Sequence, residues 1–182
     1  MAVKTVLKIG NPMLQQIAQN VTSIDQKLKQ TVIQDMLDTM EAENGAGIAA
    51  PQIGIGLRIV IFGIDRNPRY PDAEAVPTTV LINPVIEIVD QEKEEGWEGC
   101  LSVPDYRGLV PRYKMIRYSG FSENGKPIEK EVSGFHACVV QHEVDHLDGI
   151  LYPQRIRDLR NYGLTDELEA AGTLPRIKNE AN

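Results

Sequence analysis

Apolar residues recur every three to five positions through Ile24, Leu28, Val32, Ile33, Met36, Leu37 and Met40. That spacing predicts an amphipathic helix, with Thr22 or Ser23 as its N-cap and Asn44-Gly45 as its stop. The β-branched runs 58–64 and 78–89 predict strands, joined by a polar, Pro-rich loop over 66–77. Residues 114–121 and 127–132 flank Glu123-Asn124-Gly125, a short-turn signal for a hairpin. A second helix is predicted over 134–148, ending near Gly149. Strands grouped between two helices predict an α+β fold. Mainly antiparallel sheets would pack around a central helix at 134–148, with the amphipathic helix near the N-terminus. The C-terminal tail, 160–182, alternates charged and small residues and is interrupted by Gly172 and Pro175, so no element is predicted there. Its last stretch, 177–182, is expected to fray.

Composition narrows the function without naming it. A chain of 182 residues, 42% hydrophobic and 25% charged, fits one globular domain spanning 1–182. The net charge of -7, with an acidic run at Glu92-Lys93-Glu94-Glu95, argues against direct nucleic-acid binding. No apolar run approaches the ~20 residues of a membrane span, and the start lacks a signal-type apolar stretch. A soluble, cytoplasmic protein without membrane contact is expected. Two cysteines, Cys100 and Cys138, in a chain this size suit a reducing compartment and leave either thiol free to act as a ligand.

The predicted second helix carries Gln141-His142-Glu143-Val144-Asp145-His146. Histidines four apart on a helix stand on one face, about 6 Å apart along the axis, and can share one metal ion. Glu143 can then reach a water on that metal. A chance His-Glu-x-x-His occurs in on the order of one in a few hundred such chains, so His142 and His146 are taken as ligands. His136, six residues before His142, falls on another face and reads as structural. Asp145 reads as a group that orients the site through a hydrogen bond or an arginine, in preference to a surface carboxylate.

A catalytic metal site normally takes three protein ligands and leaves one position open. Cys138 is near His142 on the helix but about 12 Å along the axis from His146. A Cys and a His together span only roughly 8 to 9 Å to a shared metal, so Cys138 is excluded and is expected to pack facing the cavity. Cys100 alone would read as an inert thiol. With two histidines needing a third donor, it becomes the candidate, in the setting Glu98-Gly99-Cys100-Leu101-Ser102. A further stretch, Gly45-Ala46-Gly47-Ile48-Ala49-Ala50-Pro51-Gln52, reads by itself as a small-residue turn into a strand. It could also let a peptide lie against the backbone, with the Gln52 amide addressing a developing oxyanion.

Together, the segments 45–52, 98–102 and 141–147 resemble the peptide deformylases, whose three motifs appear in the same order and intact; flanking similarity runs from about Leu7 to Arg157. The resemblance implies an enzyme that removes the formyl group from the N-terminal formylmethionine of newly made polypeptides, with possible transient ribosome association. It implies Fe(II), with zinc, nickel or cobalt as substitutes, held by Cys100, His142 and His146. Such a metal would bring the pKa of its water toward roughly 7. The resemblance makes Glu143 the general base and acid, and assigns oxyanion stabilisation to the Leu101 N–H and the Gln52 amide. Gly45 and Gly47 would hold the peptide, Phe135, Cys138 and Val139 would line the methionine slot, and Glu98 and Arg107 would support the site. The rival reading is a zinc endopeptidase of the His-Glu-x-x-His type.

Overall fold

The run Ile59-Val60-Ile61-Phe62-Gly63-Ile64 has no polar face, and in the computed structural model it forms a strand, β2 (Ile59–Ile64), buried at every position. Residues 2–64 and 75–174 are described. Alternate side chains of β2 enter opposite cores, as the two-residue period of a strand requires. Val60, Phe62 and Ile64 join Ala137, Val140, Val144 and Leu147 on one side. Ile59 and Ile61 join Ile33, Met36, Met40 and Ile48 on the other. The sheet is therefore covered on both faces here, which explains the unbroken apolar run.

The architecture is α+β with an antiparallel sheet. Strands β1 (Gly47–Ala49), β2, β3 (Val76–Cys100), β4 (Val103–Phe121) and β5 (Pro127–Ser133) lie side by side in chain order, and β6 (Tyr162–Leu164) pairs with β4. Among the described residues β5 pairs with β4 alone, which leaves it at the margin of the sheet. β3 runs well past the expected end at 89, through the acidic stretch 90–95, and begins at Val76, so Pro77 belongs to the strand rather than to a loop. The acidic side chains stay exposed while their main chain pairs with β4, at Lys93↔Tyr113 and Glu94↔Arg112. Solvated side chains do not disturb a ladder made by backbone groups. The rest of the expected loop, 66–74, lies outside the described residues.

The first helical stretch consists of α1 (Gln26–Leu28), a π turn (Lys29–Ile33) and α2 (Gln34–Ala42). Its N-cap is Asp25 rather than Thr22 or Ser23: the carboxylate accepts the Leu28 N–H at 2.8 Å. A charged acceptor at a helix N-terminus also meets the positive end of the dipole. The wide π turn lets Leu28 and Ile33, five residues apart, both pack against the second core. Asn44 follows the helix at φ 50°, a left-handed stop.

α3 (Gly134–Leu147) packs on the first core and carries both candidate histidines. It ends at Asp148, and Gly149 adopts φ 71° with the Gln15 carbonyl where a side chain would stand. Any side chain there would collide, so glycine is required. In the tail, β6 and the short helix α4 (Thr165–Ala170) form where no element was expected. Leu168, buried on α4, supplies the apolar contact that holds them. Residues 177–182 lie outside the described residues. No helix among the described residues is long and apolar enough to cross a membrane.

Candidate metal centre and active site

Two elements that meet at right chemistry but distant sequence build the site. α3 turns His142 and His146 to one face, with ring centroids 5.1 Å apart. The β3–β4 hairpin brings Cys100, the last residue of β3, against them: Cys100 Sγ lies 3.3 Å from His146 Nε2. One donor atom from each of Cys100, His142 and His146 falls within 4.8 Å of the others. Cys138 is not in this group and lines a cavity beside it.

His142 is held from behind by a series of charged side chains. His142 Nδ1 is 2.8 Å from Glu98 Oε2, which leaves Nε2 directed inward, and its ring stacks on Tyr152 at 6.1 Å. Glu98 accepts two bonds from the Arg112 guanidinium, at 2.7 and 3.0 Å. Arg112 continues to Asp145 at 2.6 Å, and Asp145 to Arg155 at 2.7 Å. This run of alternating charge links a site imidazole to the half-exposed Arg155. Asp145 is thus buried between two arginines, not a surface carboxylate.

The electrostatics follow from burial and these partners. Burial alone would raise Glu98, but Arg112 and His142 outweigh it and hold the carboxyl at about 2. Burial would also raise the Cys100 thiol, yet the imidazoles of His146 and His142 bring it well below its ordinary range. The thiolate is the form that binds metal. Glu143 differs: it is buried, its Oε2 makes no hydrogen bond, and desolvation pushes it up to about 7. A thiolate and two imidazoles around an uncommitted carboxylate oxygen suit a tetrahedral transition-metal site with one position open. His146 Nδ1 is likewise buried without a partner.

A cavity of about 120 Å³ opens on this cluster. Gln52, Glu98, Cys100, Leu101, His142 and Glu143 line it together with Phe135, Cys138 and Val139, and Gly45 and Gly47 add main chain to its wall. Burial pushes the Cys138 thiol up to about 11, so it stays a neutral wall. A methyl group on Gly47 would sit 2.6 Å from Glu143 Cδ, so the missing side chain is what admits the carboxylate. Gln52 Oε1 accepts the Ala49 N–H at 2.8 Å, which fixes the amide with Nε2 toward Ser102 Oγ at 3.1 Å and Cys100 Sγ at 3.5 Å. Arg107 lies elsewhere, in an adjoining groove of about 880 Å³ that shares Cys100 and Leu101 with the cavity.

No sequence pattern points to Arg112, Arg155 or Tyr152, and Ser102 is legible only as part of the segment 98–102; Arg112 sits in a strand with no local signal. His136 packs its ring against Phe62 and Tyr118, as a structural residue would.

Known proteins resemble the chain along most of its length. The family model described as polypeptide deformylase matches residues 3–162. Peptide deformylase 1 of Nitrosomonas europaea is 56% identical over 172 residues, covering 94% of this chain and 98% of that protein. Peptide deformylase 1 of Bordetella pertussis is 57% identical over 166 residues, covering 91% and 94%. The Met-Ala-Ser-bound crystal structure of a class I type b peptide deformylase from Acinetobacter baumannii superposes with a TM-score of 0.82 at 43% identity, covering 85% of this chain and 99% of that one. With the family's model spanning all three motif segments and the cavity they enclose, the chain belongs to the polypeptide deformylase family.

Proposed function

We propose that this enzyme removes the formyl group from the N-terminal formylmethionine of newly synthesised polypeptides, in the cytoplasm, using a metal held by Cys100, His142 and His146. The observation that carries the reading is the cluster of one thiolate and two imidazole donors within 4.8 Å, facing a buried carboxylate with a free oxygen. Fe(II) is the metal we assign, with zinc, nickel and cobalt able to substitute on the same donors. When bound, the metal supplies Lewis acidity to the formyl oxygen and makes water acidic enough to attack near neutral pH.

The chain's own groups do the rest. Glu143, near 7 by burial, is poised to take a proton from the attacking water at Oε2 and return it to the departing amine. Gln52, fixed by Ala49, and the Leu101 N–H act as donors to the oxygen that gains charge as the formyl carbon becomes tetrahedral. Glu98 orients His142 through Nδ1 and so sets the inward nitrogen. Phe135, Cys138 and Val139 form the slot for methionine. Gly45 and Gly47 let the peptide backbone lie close, and Arg107 borders the groove along which the following residues extend. Contact with the ribosome is transient in this reading, as the substrate is a nascent chain.

Formate release from formyl-Met-Ala-Ser, followed against cleavage of unformylated peptides, tests the reading. Formate release with no internal cleavage is expected. Internal cleavage without formate would establish the zinc endopeptidase alternative instead.

A further inference from the structure

The two oxyanion donors proposed above sit on separate segments, and both are gripped by three consecutive residues near the N-terminus. Leu101 and Ser102 form a two-residue turn between β3 and β4, closed by the pair Cys100↔Val103. Beyond that single pair the register breaks, with Glu98 next facing Gly108, so no continuous ladder braces the turn and it takes its support from outside.

That support comes from Leu7, Lys8 and Ile9. Lys8 Nζ donates to the Leu101 carbonyl at 2.8 Å, and the Ile9 N–H donates to the Ser102 carbonyl at 2.7 Å. Both carbonyls of the turn are thus held. One residue earlier, the Leu7 N–H donates to the Gln52 carbonyl at 2.8 Å. The same short strap ties the segment bearing the Gln52 amide to the turn bearing the Leu101 N–H, 49 residues further along the chain.

We infer that Lys8 is a positioning residue for deformylation: its ammonium fixes the Leu101–Ser102 turn, and with it the separation between the Leu101 N–H and the Gln52 amide. The inference rests on the role given to those two donors. A charge-assisted bond to a carbonyl is strong and directional enough to do this from an exposed side chain. The peptide unit whose oxygen Lys8 holds also carries the Ser102 N–H, which points at Cys100 Sγ at 3.4 Å. A cation on one end of a peptide group polarises the other, so the same contact strengthens the amide's hold on the ligand sulfur.

Lys8→Met keeps the aliphatic stem and removes the donor; Lys8→Arg keeps a donor. In metal-loaded enzyme, Lys8→Met is expected to lower kcat about 10-fold with KM within about twofold, the signature of a contact felt in the transition state. Metal content and Tm should match the parent, and Lys8→Arg should recover most of kcat. An unchanged kcat, or a loss that tracks metal content or Tm, would overturn the inference. Should the parent enzyme release no formate, the deformylase reading itself fails. The strap is then judged by amide hydrogen exchange: faster exchange at Ser102 in Lys8→Met supports it, and equal exchange rejects it.

Discussion

The helical side of the site and its hairpin side are built on different principles. On α3, His142 is fixed through its side chain by a series of charges, the buried Glu98, Arg112 and Asp145 and the half-exposed Arg155. On the hairpin, Cys100, Leu101 and Ser102 are fixed through their main chain, by neutral amides and one lysine from the N-terminal strap. Charged side chains define direction over several ångströms but are costly to bury unpaired. Main-chain bonds fix a turn at little desolvation cost yet act only over contact distance. The site combines long-range orientation on one side with close positioning on the other.

The comparison can be broken most forcefully where the two sides meet. Glu143→Gln should lower kcat by about 10³-fold or more while metal analysis shows full loading, because the amide cannot accept a proton. Cys100→Ala should lose the metal as well, and full occupancy in that variant would remove Cys100 from the ligand set. Next in size is the charged side: Arg112→Leu leaves Glu98 and Asp145 buried without their shared partner and should cost about 4 kcal/mol in denaturant unfolding. A loss below about 1 kcal/mol would mean that the charges contribute little to orientation.

The same side sets the acid limit. Glu98 has a folded-state pKa lowered from 4.5 to about 2, so its stabilisation is present above pH 4.5 and is lost as pH falls toward 2. The loss should be on the order of 3 kcal/mol, and Tm of metal-free protein between pH 5 and 2 measures it. Glu98→Gln should flatten that profile. On the hairpin side, Gln52→Ala should lower kcat about 10²-fold, in keeping with the loss of one oxyanion donor, and should also lower Tm, because the buried Ala49 N–H loses its acceptor. An effect confined to KM would place Gln52 in ground-state binding instead. Far from both sides, Asp25→Ala removes the N-cap of α1 and should cost about 1 kcal/mol with kcat unchanged.

What could be read in advance tracks how local each signal is. The pair His142 and His146 announces itself because helical spacing alone puts both rings on one face. Cys100 emerged only because two ligands needed a third, and reach along the helix ruled out Cys138. Arg112 and Lys8 carry no local signal: the partners of Arg112 lie 14 and 33 residues away and that of Lys8 93, and no periodicity marks them. The end of β3 was misjudged because the acidic stretch suppressed a strand signal that backbone pairing with β4 supplies. α4, six residues long, is too short for apolar periodicity to reveal; a single buried leucine holds it.

β5 carries a consequence for how the enzyme behaves when concentrated. Among the described residues no strand lies beside its outer main-chain groups, which is the arrangement that invites another chain to add on and begin aggregation. The strand opens with Pro127, which cannot donate to a new ladder, and presents Glu129, Lys130 and Glu131 to solvent, so that an arriving copy meets charges of the same pattern as its own. The exposed margin of the sheet is in this way kept from pairing with a second copy of itself.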